Sequence, residues 1–392
     1  MKGFFMSREF LMPKYIFTGE KALSCAADIL RKMGKRALVV SGTVTSKQAY
    51  FGECVSFLNG LGIETAIFSD IAGEPDDVTV NAGLAAYKEN GCDCLFAMGG
   101  GSALDTMKAI AALSVRGGKI SDCIGDPINE KLPFMTAVPT TAGTGSEVTR
   151  FTVITDTETG VKMLLSGASL IPDCAIVDPT YTLTAPESVT AATGLDALTH
   201  AIESYTSKKA QPLTDAVALS AVKRIFKSLP AAYENGGDLA ARSEMSIAAL
   251  EAGIAINNAS VTLVHGMSRP IGALFHVPHG ISNAMLLEKC LSFALDGAYG
   301  RFAELARTIG AADNLTNDKS AAEQLIVKIR ELCCICEIPT PAEYGIDRDN
   351  YYAAIPKMSA DAIASGSPAN TAKTVSYENI ESIYRALYPN DK

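Results

Sequence analysis

Histidine is scarce in this chain: only His200, His265, His276 and His279 occur among 392 residues. Other features are missing too. No uninterrupted stretch of about 18 apolar residues is present. The nearest, Ile247 to Met267, is broken by Glu251, Asn257, Asn258 and His265, so no transmembrane span is expected. No basic cluster stands out against 34 Lys+Arg and 43 Asp+Glu, a net charge of −9. That balance argues against nucleic acid and against anionic membrane surfaces as partners. The opening MKGFFMSREFLMPK places Arg8 and Glu9 inside its short apolar stretch and offers no small-residue cleavage site, so no signal peptide is read there. Internal repeats and low-complexity tracts are also absent.

Ten cysteines are present, yet a disulfide framework is not. Cys25, Cys54, Cys92, Cys94, Cys123, Cys174 and Cys290 are scattered through apolar segments, as buried thiols of a reducing compartment would be. Cys333 and Cys336 spell C-x-x-C, but no second pair or neighbouring histidine completes a zinc site, and no βα context supports a redox motif. They read as a core-facing helix turn. The expectation is a cytoplasmic protein without disulfides.

What is there suffices for large cores: 48% of the residues are apolar, and the length suits two domains. Up to about residue 180, continuous apolar runs alternate with helical patterns. Strands are expected at 37–41, 64–68, 92–98, 133–138 and 174–177, with helices at about 47–61, 76–89 and from the glycines at 99–101 to about 114. This alternation predicts a mostly parallel sheet covered on both faces. Beyond Pro179 and Pro186 the patterns are nearly all helical: 188–205, 212–229, 240–257, 297–308, 318–334 and 377–387. The boundary is placed at residue 185, giving an α/β nucleotide-type domain (1–185) and an all-helical domain (186–392) with a cleft between them.

Two loops follow strands of the first domain. Gly99-Gly100-Gly101-Ser102 leaves a buried strand and opens a helix, so a pyrophosphate can approach free N–H groups and a favourable dipole. Pro139-Thr140-Thr141-Ala142-Gly143-Thr144-Gly145-Ser146-Glu147 supplies hydroxyls and N–H groups suited to ribose and phosphate. Either loop alone could be a capped turn; together they suggest a bound nucleotide.

In the second domain Asp196 and His200 lie four apart on a predicted helix and project from one face. His265, His276 and His279 crowd into fifteen residues. Pro270, Gly272 and Pro278 are expected to prevent one continuous helix there, leaving His265 and His279 on two segments that turn back toward one another. Burying several imidazoles without partners is costly. A shared divalent cation beside a carboxylate satisfies them, and one Asp with three His suits Zn²⁺ or Fe²⁺.

GGGS-x-x-D-x-x-K at 99–108, PTTAGTGSEVT at 139–149, AATGLDALTHAIE at 191–203 and HGM…PHG at 265–280 resemble, in this order, the iron-containing (group III) alcohol dehydrogenases. The resemblance covers essentially the whole chain. It implies a dehydroquinate synthase-like fold, a short alcohol or aldehyde as substrate and reversible hydride transfer to a nicotinamide cofactor. The metal ligands it implies are Asp196, His200, His265 and His279, with Fe²⁺ expected. Gly100, Gly101, Ser102, Thr140, Thr141 and Thr144 would hold phosphates and riboses, Lys162 would reach the cofactor, and Thr182 and Leu183 would line its adenosine side. A Zn-dependent polyol or hydroxy-acid dehydrogenase on the same fold is the alternative. A homodimer is the family habit, and the apolar segment Phe4–Phe17 is a candidate for pairing across its interface.

Two departures from the family pattern carry expectations. NAD-preferring members place Asp at the end of the first α/β strand; this chain has Gly42, followed by hydroxyls and Lys47, so NADP(H) is expected over NAD(H). Common members have a second histidine where this chain has Arg269. His276 is therefore a candidate for the proton-handling role near the metal. Arg269 would pair with a carboxylate such as Glu147 or Glu251, or meet an acidic substrate; the sequence leaves these open.

Overall fold

The computed structural model of the chain describes residues 7–388. Its first half contains β1 (Tyr15–Thr18), α1 (Ala22–Cys25), α2 (Ala27–Leu30), β2 (Arg36–Gly42), α3 (Ala49–Gly60), β3 (Glu64–Ile71), α4 (Asp77–Glu89), β4 (Cys94–Gly99), α5 (Gly101–Arg116), β5 (Phe134–Pro139), β6 (Phe151–Thr155), β7 (Lys162–Ser166) and β8 (Cys174–Val177). Six strands form one sheet in the order β1-β8-β5-β4-β2-β3, and every pairing in it is parallel. β6 and β7 form a separate antiparallel hairpin.

Successive residues of the central strands feed opposite faces. Leu38, Val40, Leu95 and Ala97 pack with Leu84 and Leu104 of α4 and α5. Ala37, Val39, Cys94, Phe96 and Met98 pack with Leu30, Phe51 and Leu58 of α2 and α3. Both faces are therefore dry, which is why these strands read as unbroken apolar runs rather than alternating ones.

The second half is helical: α6 (Glu187–Thr206), α7 (Pro212–Glu234), α8 (Leu239–Asn258), α9 (Leu263–Phe275), α10 (His279–Ala294), α11 (Tyr299–Thr308), α12 (Asp318–Ile335), α13 (Arg348–Ala364) and α14 (Tyr377–Leu387). One core runs through it from Ala191 to Leu387. A smaller cluster of Val148, Ala175 and Val177 with Leu250 and Ile254 of α8 joins the two halves. Arg242 of α8 fastens the start of α6, donating to Thr190 Oγ1 at 2.7 Å and to Ala185 O at 3.1 Å.

Three prolines sit inside helices, Pro230 in α7, Pro270 in α9 and Pro356 in α13. The expected stop at 229 and break at Pro270 are therefore corrected. A proline removes one intrahelical bond and kinks the helix, but Leu229, Ala232, Met267 and Ile271 are fully buried around these positions, and packing carries the helices through. The chain breaks only at 276–278, where His276 takes a left-handed conformation (φ 54°) after α9. His265 and His279 thus lie on successive helices.

All ten cysteines are free. Cys25 and Cys334 are exposed, a correction to the expectation that Cys25 is buried. No single helix among the described residues is long and apolar enough to cross a membrane. Of the Phe4–Phe17 segment, residues 4–6 lie outside the described residues. The remainder is engaged within its own chain: β1 pairs with β8, and Leu11 O accepts from Asn257 Nδ2 and Asn258 Nδ2, both at 2.8 Å.

Candidate metal and cofactor site

Helices α6, α9 and α10 build the site. Their approach is close enough to be visible in one glycine: a Cβ on Gly280, in the first turn of α10, would stand 2.3 Å from Ala192 O of α6. That contact brings His279 to Asp196. Three imidazole Nε2 atoms surround a single oxygen, Asp196 Oδ1, at 3.6 Å (His265), 3.7 Å (His279) and 3.9 Å (His200). The His200 and His265 rings stack with centroids 4.7 Å apart. Donor atoms of Asp196, His265 and His279 all lie within 4.8 Å of one another. Asp196, His200 and His265 are buried, while the His279 side chain is 39% exposed. The cluster is thus closed on three sides and open on the fourth.

Two further side chains set its electronics. Glu203, fully buried on α6, receives Thr262 Oγ1–H and Val264 N–H at 2.7 Å on one oxygen and faces His265 Nδ1 at 2.6 Å with the other. A carboxylate there holds the proton on Nδ1 and turns the Nε2 lone pair toward Asp196. Asn283 of α10 places Nδ2 2.8 Å from Asp196 Oδ1 and 3.2 Å from both His265 Nε2 and His279 Nε2. An amide has two hydrogens for these three acceptors. The acceptors facing the centre outnumber the donors, and Asn283 Oδ1 is buried without a partner. A cation at the centre of such a set removes the surplus, so the residues fit a divalent metal.

The electrostatics agree for two of the three imidazoles. Against the downward push of burial, Glu203 and Asp196 raise His265 to about 9, so its Nε2 carries a proton that a bound cation would displace. Against the upward push of burial, the imidazoles hold Asp196 well below the carboxylate range. Burial pushes His200 down, and burial with the neighbouring cations pushes His279 down to about 3. Both rings are neutral at pH 7 and available as ligands.

Glu203 and Asn283 were not singled out by sequence, although a signal exists. Glu203 lies three residues after His200 and seven after Asp196, on their helix face, and Asn283 lies four after His279. Glu203→Gln keeps the shape and weakens the hold on His265. We expect it to lower metal affinity about tenfold, the mild end of what loss of a ligand's supporting carboxylate costs, measurable by competition with a chromophoric chelator.

The nucleotide loops occupy the carboxyl ends of β2, β4 and β5, side by side. A Cβ on Gly101 would be 2.9 Å from Thr144 Cγ2, and one on Gly100 would be 3.7 Å from both Thr141 Cγ2 and Oγ1. Gly100 caps α5, Ser102 stands in its first turn, and Thr140 N donates to Gly99 O at 3.0 Å. Gly42 ends β2, and the Thr45 hydroxyl comes within 3.9 Å of a Cβ built on Gly99. Behind them Lys108 is fully buried and donates to Thr149 O and Phe151 O, both at 2.8 Å, while Asp105 accepts from Val153 N at 2.8 Å. A buried ammonium without partners would cost several kcal/mol; here it braces the segment that follows the second loop, 149–151, against α5.

Lys162 begins β7 and pairs with Glu74, its Nζ 2.6 Å from a carboxylate oxygen. The same Nζ would be 3.6 Å from a Cβ on Gly272 of α9, so it spans the two halves. Thr182 is buried and donates to Pro179 O at 2.7 Å, with Leu183 next to it as the cap of that turn. These two lie apart from the glycine loops in sequence.

His276, in contrast, is exposed and makes no hydrogen bond among the described residues. The expected proton-handling role finds nothing in this geometry to support it. The two carboxylates considered for Arg269 are engaged elsewhere: Glu251 pairs with Arg224 at 3.3 Å and accepts from Ser220 Oγ at 2.9 Å. Glu147 is buried beside Lys108, whose charge opposes the rise of its pKa to about 7 on burial.

The sequence matches the description "Iron-containing alcohol dehydrogenase" over residues 13–179 and "Fe-containing alcohol dehydrogenase family, C-terminal" over 190–388. The chain belongs to this family. It is 36% identical to the 1,3-propanediol dehydrogenase of Klebsiella pneumoniae over 387 residues, 97% of this chain and 98% of that protein. It is also 36% identical to the NAD-dependent methanol dehydrogenase of Bacillus methanolicus over 344 residues, 87% and 90% of the two. Among solved structures, a 1,3-propanediol oxidoreductase superposes with a TM-score of 0.94 at 34% identity, covering 98% of this chain and 100% of that one. The enzyme is thus an oxidoreductase with the family's α/β sheet and helical half, and with residues in both halves fitted to a metal and a nicotinamide cofactor.

Proposed function

We propose that the enzyme is a metal-dependent alcohol dehydrogenase and aldehyde reductase that moves a hydride between a short-chain alcohol and NAD(P), with NADP(H) favoured. The observation that carries this reading is the convergence of three imidazole Nε2 atoms on Asp196 Oδ1. Asp196, His200, His265 and His279 would hold the cation, Fe²⁺ by family and Zn²⁺ by the same donor chemistry. When bound, it supplies Lewis acidity toward the alcohol oxygen.

The chain's own residues do the rest. Glu203 keeps the His265 proton on Nδ1. The open side at His279 admits the substrate. Thr140, Thr141, Thr144, Ser102 and the N–H groups of Gly100 and Gly101 bind the phosphates and riboses, and Lys162 approaches the cofactor across the cleft. Gly42 and the hydroxyl-rich turn to Lys47 leave space and no negative charge at the β2 end, which supports the preference for a 2′-phosphate. We further propose a cytoplasmic homodimer, on the pattern of free thiols and the family habit.

The test is protein purified anaerobically, loaded with Fe²⁺ or Zn²⁺, and assayed with short aldehydes and both reduced cofactors. Turnover is expected with either metal and a higher kcat/KM with NADPH. Absence of NAD(P)H oxidation ends the proposal, and an NADH preference above about tenfold ends the cofactor part of it.

A further inference from the structure

Arg269 lies on α9 one turn after His265, so both side chains share a helix face. It is partly buried and makes one hydrogen bond, from Nη1 to Ser367 Oγ at 3.1 Å. A guanidinium has five N–H donors, and among the described residues no carboxylate comes within ion-pair distance of this one. Burial pushes its pKa down, and the only group that offsets this is Glu203, whose oxygens are already committed to His265, Thr262 and Val264. Its field also reaches His279, where it disfavours protonation. The charges of a divalent cation, Asp196 and Glu203 cancel. Arg269 then remains as one uncompensated positive charge, one helical turn from the ligand His265. It is also held in place: the turn Ser367–Asn370 packs on α9, and a Cβ on Gly266 would be 2.8 Å from Pro368.

A fixed, partly dried guanidinium without a counter-ion beside a substrate opening is a site for an anion, and its planar fork suits a carboxylate or sulfonate. We propose that Arg269 selects short alcohols and aldehydes that carry a terminal carboxylate or sulfonate, holding that group while the other end reacts at the Asp196 cluster. The proposal rests on the dehydrogenase reading above and names its substrate class. The reaction is balanced without change at the anionic end. The alcohol carbon gives a hydride to the oxidised nicotinamide, the hydroxyl gives its proton to solvent, and an aldehyde and reduced cofactor result.

The test compares 4-hydroxybutyrate with butane-1,4-diol, which share the reacting CH₂OH and differ at the far end. Wild type is expected to favour 4-hydroxybutyrate in kcat/KM by about tenfold or more, as sites built to pair a substrate group do. Arg269→Gln is expected to lower kcat/KM for 4-hydroxybutyrate roughly thirtyfold more than for the diol. Arg269→Lys should fall between, since it keeps the charge without the fork. A wild-type preference for the diol, or equal losses on both alcohols, overturns the proposal. So does an R269Q effect seen mainly in the KM for nucleotide, which would assign the guanidinium to a cofactor phosphate. Calorimetry with 4-hydroxybutyrate needs no turnover. At least fivefold weaker binding to R269Q of native circular dichroism supports the anion site, and equal binding sinks it. If no alcohol is oxidised but this difference persists, the dehydrogenase reading fails and the anion site stands.

Discussion

Asp196→Ala is expected to abolish metal binding and to cost about a thousandfold or more in kcat/KM. Asp196 Oδ1 is the one anionic atom facing His200, His265 and His279 together, at 3.6–3.9 Å. Three neutral imidazoles without it leave the full charge of a divalent ion in a buried site, which is costly. A metal's Lewis acidity is worth several kcal/mol of transition-state stabilisation, and each ~1.4 kcal/mol is a factor of ten in rate. Fold and metal effects separate in a thermal melt. Wild type should gain melting temperature on adding Zn²⁺, because a ligand that binds only the native state stabilises it, whereas D196A should show no gain. The metal-free variant should itself melt below metal-free wild type, since removing one partner of a buried charged cluster leaves the others uncompensated; the missing Zn²⁺ gain is what reports on the metal. A D196A chain that still carries one metal per chain by elemental analysis would refute the assignment.

The parts of the fold that were legible are those where local chemistry and tertiary environment agree. β2, β4, β5 and β8 are buried on both faces, so continuous apolar runs announced them. β1 was invisible because four residues, mostly half-buried at the sheet edge, carry no period. The hairpin β6–β7 was missed as a pair of strands because each is five residues of alternating burial between polar turns. α13 and the second half of α9 were obscured by Pro356 and Pro270, where packing overrules the proline penalty. At the site, the ligand types were readable because His and Asp at these spacings are chemically distinctive. Glu203 and Asn283 were not, since an amide or carboxylate on a helix face acquires its role only when α9 and α10 close on α6. Arg269 shows the limit most clearly. Its partners could be named as options in sequence, but only the engagement of Glu147 and Glu251 elsewhere removes two of them.

Gly143→Ala is expected to cost about a hundredfold in kcat/KM while leaving metal content intact. Gly143 lies in the threonine-rich loop, and a Cβ there would stand 2.4 Å from Thr193 Cβ, 2.7 Å from Thr193 O and 2.8 Å from Thr193 Cα. Thr193 sits in α6 three residues before Asp196, so the backbone of the cofactor loop rests directly on the metal helix. These Thr193 atoms are main chain or next to it, and α6 is fixed by the core it enters at Ala191 and Leu195. The loop must therefore be the part that moves. A displacement near 1 Å in a positioning element can cost about a hundredfold, because hydride transfer depends on the distance and angle between reacting atoms. Overpacking of this kind also lowers stability, by about 1–3 kcal/mol, which a melt would read separately. The loss should fall on kcat and on the KM for nucleotide together, with metal stoichiometry and alcohol-independent metal affinity near wild type. That split distinguishes a displaced loop from a damaged metal centre: D196A loses the metal, and G143A keeps it in place but moves the cofactor loop away from it.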